Sequence, residues 1–264
     1  WLTLGLALQL HANHLQMTYY TLVMMFIITL MWGVHTWYKR GILYTLKPVS
    51  ILLISGLLAL ILNAQSVLAT LDYTKFSTRG ASELTINPDG TDKIASDGLS
   101  FEYITSYSYG IMESITFISP KIMGGSSSES FADDSPFMKF IKVKMSDGSL
   151  DYDTAIGLLR QFRPYWGDQP FVAAPVYLGV AVLFFAVLGL VLTNKNTRSV
   201  LLSIIAVSLL FSWGKNTPET TQFFIDYLPL YNKFRAVSSA QIMIMLCVPY
   251  AAILGIQHLT QEKG

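Results

Sequence analysis

The stretch YYTLVMMFIITLMWGVHTW, residues 19–37, determines the fold class of this chain. It runs for nineteen residues without a Lys, Arg, Asp or Glu. About 20 predominantly apolar residues in a helix span the hydrocarbon core of a bilayer. Trp32, Trp37 and Tyr38 lie towards one end, where interfacial aromatic side chains collect in membrane helices. The stretch therefore predicts a transmembrane helix.

Other apolar runs of this kind recur along the chain. Hydrophobic residues make up 52% and charged residues 13% of the 264 positions, whereas a soluble domain carries about 25% charged residues. We expect about six crossings, the first being the second half of a truncated helix. Val200–Trp213 is short, roughly 21 Å as a helix, so that we expect either a neighbour to cover it or the bilayer to thin locally. Pro249 predicts a kink. The further runs are Leu2–Leu10, Val49–Leu71, Val172–Thr193, Val200–Trp213 and Ala240–His258.

The charges between the runs predict an orientation. Short connections rich in Lys and Arg stay on the cytoplasmic side of a membrane, and such residues occur at 39–47, at 195–198 and at Lys263. Alternation then places residues 11–18, 72–171 and 214–239 outside. We therefore divide the chain into helices at 1–71, an outer loop at 72–171 and helices at 172–264. A net charge of +1 excludes a nucleic-acid binder, which needs a basic face.

The outer loop is predicted to mix strands and helices. Asn87-Pro88-Asp89-Gly90 and Asp97-Gly98 are typical of hairpin turns. Residues 103–118 are aromatic but too broken by polar residues to span a membrane, and 124–128 have the composition of a flexible loop. Asp151–Arg163 has a capping residue and helical spacing. The whole chain is thus expected to be an all-α membrane bundle with a large mixed α/β extracytoplasmic loop.

Four polar clusters fall on the predicted outer side. Interface anchoring accounts for many of their aromatic residues, and Lys215 and Arg235 could reach lipid phosphates from a purely structural position. Taken together, the clusters favour a polar cleft that binds a sugar and a phosphate. Two carboxylates, Glu113 and Asp168, are candidate proton acceptors. Lys215, Lys233 and Arg235 are candidate phosphate ligands. The candidate substrate-binding residues are Asn13, His14, Gln16, Tyr19, Tyr107, Gln169, Asn216 and Asn232.

No metal site is predicted from these residues. His11 and His14 lie three positions apart, but the sequence offers no clear third ligand near them. Cys247 lies inside an apolar run and is expected to be a small buried hydrophobic residue.

The clusters resemble the YfhO-type family of bacterial membrane proteins. The resemblance lies in ANHLQMTYY at 12–20, TSYSYGIME at 105–113, YWGDQPF at 165–171, WGKN at 213–216 and LPLYNKFRA at 228–236. These stretches are spread from the start of the chain to its last predicted span, so that the resemblance extends over essentially the whole chain. The family is similar to the GT-C class of polytopic glycosyltransferases, which transfer a sugar from a polyprenyl-phosphate carrier to an acceptor outside the cytoplasm.

The resemblance implies a bacterial inner-membrane enzyme with a lipid-linked sugar as its donor and an envelope saccharide or similar acceptor. It also implies that a further acidic residue, in a first outer loop, would precede Trp1. A need for a divalent metal ion is left open, and no cofactor is otherwise implied. Two other functions remain open: a transporter or flippase of a polar lipid or saccharide, and a non-catalytic protein of envelope assembly whose loop binds a partner.

Overall fold

The computed structural model describes residues 1–80 and 98–261, and within these ranges the regular structure is entirely helical. Helices α1 to α4 are Leu2–His11, Leu15–Arg40, Ile42–Leu62 and Ala64–Thr74. Helices α5 to α7 are Phe101–Ile104, Pro136–Ser146 and Tyr152–Gln161. Helices α8 to α11 are Val180–Leu192, Lys195–Trp213, Pro218–Tyr227 and Ile242–Gln261. Shorter 3₁₀ turns occupy Met112–Phe117, Gly214–Asn216, Tyr231–Lys233 and Val237–Gln241.

Four helical segments are long and apolar enough to cross a membrane. They are Leu15–Arg40, Ile42–Leu62, Lys195–Asn216 and Val237–Gln261. The prediction of a helical membrane protein is thus confirmed in its coarse form. The other two expected crossings correspond to α1 and α8, which are shorter apolar helices of 10 and 13 residues. The hairpin turns that were predicted at 87–90 and at Asp97 lie outside the described residues.

Three predicted spans have different limits in the structure. The span expected at Val49–Leu71 begins earlier, at Ile42, with Pro48 inside the helix, and breaks at Asn63. The side-chain amide of Asn63 donates to the carbonyls of Ala59 (3.0 Å) and Ala7 (3.1 Å). Those bonds hold the junction of α3 and α4 against α1. The fourth span is longer than expected, since α9 starts at Lys195 and needs no local thinning of the bilayer.

The third span starts eight residues later than predicted. Residues 172–179 are not helical, because their backbone bonds to the loop instead. Val172 N–H donates to Ser127 Oγ (2.9 Å), and Leu178 N–H donates to the carbonyl of Phe117 (3.1 Å). Gly179, with φ of +87°, then turns the chain into α8.

The buried core lies where α8, α9, α11 and the first half of α2 pack together. Helices α8 and α11 approach most closely at two glycines. A Cβ added at Gly189 would overlap the carbonyl oxygen of Ala251, and one added at Gly255 would overlap that of Phe185. Small residues at such positions let two membrane helices come into backbone contact. Helices α1, α2 and α3 form a second group, whose α3 surface is largely exposed and apolar.

The bundle has two chemically different ends. We call the end that carries residues 63–80, 98–179 and 214–241 the loop end. We call the opposite end, with Lys39, Arg40, Lys47, Lys195 and Arg198, the basic end. Every described acidic residue lies in 72–168 or 219–226, at the loop end. The short basic connections of the sequence therefore lie together at one end of the structure, and the described acidic residues lie at the other.

The described part of the loop contributes two amphipathic helices that contact each other, α6 and α7. The helix predicted at Asp151–Arg163 is confirmed as Tyr152–Gln161, and the Asp151 carboxylate accepts from Thr154 N–H (2.9 Å) as its N-cap. Residues 103–118 form no membrane span, as predicted, and their 3₁₀ turn at Met112–Phe117 packs with a buried face. This segment forms the base of the candidate site.

Candidate functional site

The segment Ser108–Tyr109 is fastened to the end of α9. Tyr109 N–H donates to the carbonyl of Ser212 (2.7 Å), and Lys215 N–H donates to Ser108 Oγ (2.9 Å). The Asn216 side-chain amide donates to the carbonyl of Tyr109 (3.0 Å). Two regions more than a hundred positions apart in sequence therefore form one rigid corner of the loop end.

A glycine makes this corner possible. Gly214 has φ of +44°, and a Cβ at this position would overlap the Ser108 hydroxyl. Its carbonyl accepts from the buried Thr221 hydroxyl (2.9 Å), which fixes α10 to the same corner. Trp213 adds an indole N–H bond to Ser114 Oγ (2.9 Å). The run Trp213-Gly214-Lys215-Asn216 thus positions the 3₁₀ turn that carries Glu113.

The Glu113 side chain is buried, with 2% exposure, and its carboxylate has three hydrogen-bond donors. Its carboxylate accepts from Gly110 N–H (3.0 Å), from the Tyr165 hydroxyl (2.5 Å) and from the Gln169 side-chain amide (3.3 Å). Three such donors supply the partners that a buried carboxylate requires. Burial and the bond to Glu113 raise the pKa of Tyr165, so this phenol stays protonated as a donor.

A cavity of about 350 Å³ opens beside Glu113. Asp168 is exposed at its wall, and its carboxylate lies over Gly110, so close that an added Cβ there would stand 2.9 Å from Oδ2. The Lys215 ammonium donates to the Asp168 carbonyl (3.1 Å). The lining residues are Gly110, Ile111, Met112, Glu113, Met123, Trp166, Gly167, Asp168 and Asn216. The wall thus combines carboxylates, an amide and an exposed indole.

Five of the predicted site residues meet at this cavity. Glu113, Asp168 and Asn216 line it, while Gln169 and Lys215 bond to residues in its wall. A carboxylate able to accept a proton, amide groups able to bond hydroxyls and a cation beside them suit a polar, hydroxyl-bearing ligand. Their roles in catalysis or binding stay predictions.

Other predicted residues gather in a second cluster at the loop end, around Arg235. The Arg235 guanidinium donates to the Tyr103 hydroxyl (2.9 Å) and lies 5.5 Å from that ring's centroid. The Gln16 side-chain amide donates to the carbonyl of Arg235 (2.6 Å) and to the hydroxyl of Tyr20 (3.0 Å). Tyr107 joins through its carbonyl, which accepts from Ser238 N–H (3.1 Å).

The remaining residues of this second cluster make mainly backbone contacts. Lys233 Nζ donates to the carbonyl of Arg79 (2.9 Å), and the Arg79 side chain returns a bond to the Lys233 carbonyl (2.8 Å). The carbonyl of Asn232 accepts from Leu99 N–H (3.0 Å). Tyr19 packs its ring against Phe234 at a centroid distance of 5.2 Å. Of the three cations predicted to bind phosphate, only Lys215 therefore adjoins the cavity.

Two predicted residues lie apart from both clusters. Asn13 has φ of +53° in the turn between α1 and α2, and its side-chain oxygen accepts from Ser66 (3.4 Å). His14 occupies the N-cap position of α2, exposed and without a side-chain cap bond. Within residues 1–80 and 98–261, no three His, Cys, Asp or Glu side chains are grouped so that they could hold a metal ion.

Tyr165 and Trp166 are functional candidates that the predicted residue set omitted. Tyr165 holds Glu113 and Gln169 together, because its oxygen also accepts from Gln169 N–H (3.1 Å). Trp166 presents an indole that is 69% exposed at the cavity. The sequence did offer a signal for these two residues, since they lie within three positions of the predicted Asp168. However, aromatic residues next to a span are equally well explained as anchors at the membrane interface.

Comparison of the chain with protein-family models, with curated proteins and with solved structures gave no match in any of the three. The resemblance to the YfhO-type family stays a prediction.

Proposed function

We propose that the chain is a membrane glycosyltransferase of the GT-C kind, acting on a sugar carried by a polyprenyl phosphate. Its acceptor would be a cell-envelope saccharide or similar molecule on the side of the loop end. The observation that carries the proposal is the cavity in which Asp168, Asn216 and Trp166 face one space beside Lys215. In this proposal the chain lies in a bacterial inner membrane with residues 72–171 outside the cytoplasm.

The two carboxylates take different roles in this proposal. Asp168 is exposed to the cavity, so that it can receive the proton of the acceptor hydroxyl. Glu113 already accepts three hydrogen bonds and is nearly inaccessible. We therefore assign Glu113 to positioning, because it links Gly110, Tyr165 and Gln169 around the site.

The sugar would be bound by the flat and amide-bearing parts of the wall. An exposed indole such as that of Trp166 offers an apolar face to the C–H bonds of a sugar ring. The Asn216 side chain provides a carbonyl oxygen and, besides the N–H used on Tyr109, a second amide N–H. These groups distinguish the cavity from a purely apolar lipid pocket.

The proposed reaction transfers the sugar from the carrier phosphate to the acceptor hydroxyl. The acceptor oxygen forms a bond to the anomeric carbon as its proton passes to Asp168. The bond from that carbon to the phosphate oxygen breaks, and the phosphate leaves on the polyprenyl carrier. Lys215 stands beside the cavity to stabilise the negative charge that develops on the leaving phosphate. Lys233 and Arg235 would assist from the second cluster, where the carrier approaches.

The test uses purified protein with a panel of radiolabelled polyprenyl-phosphate sugars and extracted envelope material as acceptor. Wild-type protein should move label from the lipid to the acceptor. Asp168→Asn should slow that transfer by about 10²-fold or more, as loss of a general base does. Asp226→Asn is the matched control, since Asp226 is an acid at the same end on α10, outside this cavity.

The other functions left open by the sequence give different results in the same assay. Label that crosses a proteoliposome membrane on an unchanged lipid would indicate a transporter and contradict the proposal. Label that stays on the lipid with every sugar tested, in protein that is folded, would leave an envelope assembly role. Equal loss in Asp168→Asn and Asp226→Asn would contradict the assignment of Asp168.

A further inference from the structure

A second cavity lies at the opposite end of the bundle from the candidate site. It has a volume of about 760 Å³ and runs between α2, α9 and α11. Its walls are mostly apolar and include Met24, Ile204 and Leu246. Ile28 and Trp32 line it and are also exposed on the bundle surface. The cavity is therefore a groove that opens sideways, towards the space a bilayer would occupy.

One polar pair marks the end of the groove nearest the basic end. His35 Nε2 and the Asn196 side-chain nitrogen lie 2.8 Å apart, and both residues line the groove. When the amide donates to Nε2, the imidazole proton sits on Nδ1, and a further amide N–H remains. The pair can thus offer two donors to a ligand at the mouth of an apolar channel.

Unopposed positive charge surrounds that polar pair. Lys39 follows His35 by one helical turn, and Lys195 and Arg198 flank Asn196 in the first turn of α9. In the described part of the chain, none of these three side chains has an ion-pair partner, and every acid lies at the loop end. A ligand that complements this groove has an apolar chain and a negatively charged head.

We propose that the groove is a binding site for an anionic glycerophospholipid of the surrounding membrane. One acyl chain lies along α2 from His35 to Met24, about 16 Å at 1.5 Å per residue. That length corresponds to half of a hydrocarbon core of about 30 Å. The phosphate meets His35 and Asn196, with Lys195 and Arg198 supplying charge; basic pockets between membrane helices bind acidic lipids in this way. This site is separate from the proposed transfer site and does not depend on it.

The test uses Trp32 as a reporter inside the groove. Full-length protein is reconstituted with brominated phosphatidylglycerol or brominated phosphatidylcholine at equal mole fraction, and quenching of tryptophan fluorescence is measured. We expect stronger quenching by the anionic lipid, and we expect Trp32→Phe to remove that difference. Equal quenching by both lipids would overturn the proposal. So would the absence of quenching at Trp32, the result if a second copy of the chain filled the groove.

Variants that remove charge then distinguish lipid binding in the groove from general attraction of anionic lipid to the basic end. Lys195→Gln with Arg198→Gln should lower the relative affinity for the anionic lipid about 25-fold, since each cation near a membrane surface contributes about a fivefold factor. His35→Ala should also lower it. Lys47→Gln is the matched control, because Lys47 lies at the same end on α3, away from the groove. An effect of Lys47→Gln as large per charge as that of the double variant would overturn the proposal.

Discussion

Glu113 is the one acidic side chain among the described residues that is almost fully enclosed. Its short bond from the Tyr165 hydroxyl joins two parts of the loop that lie 52 positions apart. Tyr165→Phe removes one of three donors from a buried carboxylate. We expect it to lower the free energy of unfolding by about 1–3 kcal/mol, measured by thermal unfolding in detergent. Tyr152→Phe is the control, because Tyr152 is 67% exposed on α7. Equal stability of the two variants would contradict this role for Tyr165.

Buried tyrosines at the loop end predict a dependence of stability on alkaline pH. Burial raises the pKa of Tyr109 to about 12 and also raises the pKa of Tyr231. Below pH 10, the usual tyrosine pKa, both folded and unfolded states hold these protons. Between pH 10 and 12 only the unfolded state releases them, so stability should fall as pH rises through this window.

Ultraviolet titration of tyrosinate checks this expectation. In the folded protein a fraction of the fourteen tyrosines should ionise later than in the unfolded chain. Tyr109→Phe should reduce the delayed fraction. A folded-state curve that coincides with the unfolded one would contradict the enclosure of Tyr109.

At the residue scale, the sequence predicted contacts that are local and missed those that are distant. The N-cap role of Asp151 follows from its own helix, and the bond to Thr154 confirms it. The partners of Glu113 do not follow, since Tyr165 and Gln169 are joined to it only by the folded loop. A buried carboxylate and an exposed one look alike in sequence, and so Glu113 and Asp168 were predicted as equivalent.

At the scale of elements, the contact between α8 and α11 rests on two glycines. Gly189→Ala would place a Cβ against the carbonyl of Ala251. Because backbone atoms cannot move aside as a side chain can, we expect a loss of about 3 kcal/mol, the upper part of the usual range for overpacking. Gly255→Ala should act similarly against Phe185. Thermal unfolding in detergent measures both.

The same substitution on α3 provides a matched control. Gly56 lies inside that helix, and a Cβ there would meet nothing within 4 Å. Since alanine stabilises a helix relative to glycine by roughly 0.5–1 kcal/mol, Gly56→Ala should be neutral or slightly stabilising. A Gly56→Ala variant as unstable as Gly189→Ala would show that the effect is not one of helix contact.

The ends of the helices are the feature that hydropathy predicts least well. Residues 172–179 are apolar, and so the sequence predicted them as part of a span; the structure instead bonds their backbone to Ser127 and Phe117. Pro175 and Gly179 were the available signals of a non-helical segment. In α3, by contrast, the span predicted to begin at Val49 begins at Ile42, and Pro48 lies inside the helix. The existence of long apolar helices was predictable, whereas their ends depended on tertiary hydrogen bonds.

At the scale of the whole molecule, the described acidic residues and the cavity beside Glu113 lie at one end of the bundle, and the described charged residues at the opposite end are all basic. The basic end carries Lys39, Arg40, Lys47, Lys195 and Arg198, and the loop end carries all described acids and the cavity. This arrangement was predictable from the sequence, because the short cytoplasmic connections of a membrane protein carry an excess of Lys and Arg. The assembly of the cavity was not predictable in detail, since its walls come from three distant segments around Glu113, Trp166 and Asn216.

In the proposed topology, the bundle crosses a membrane with the loop end outside and the basic end in the cytoplasm. Helix α8 has 13 residues and is about 20 Å long, shorter than a hydrocarbon core of about 30 Å. Cysteines placed on either side of it, at the exposed positions Ser130 and Lys195, report on that crossing in a Cys247→Ser background. With a membrane-impermeant maleimide on spheroplasts, we predict modification of Ser130→Cys at once and of Lys195→Cys only after permeabilisation. Modification of both in intact spheroplasts, or of Lys195→Cys alone, would contradict the account.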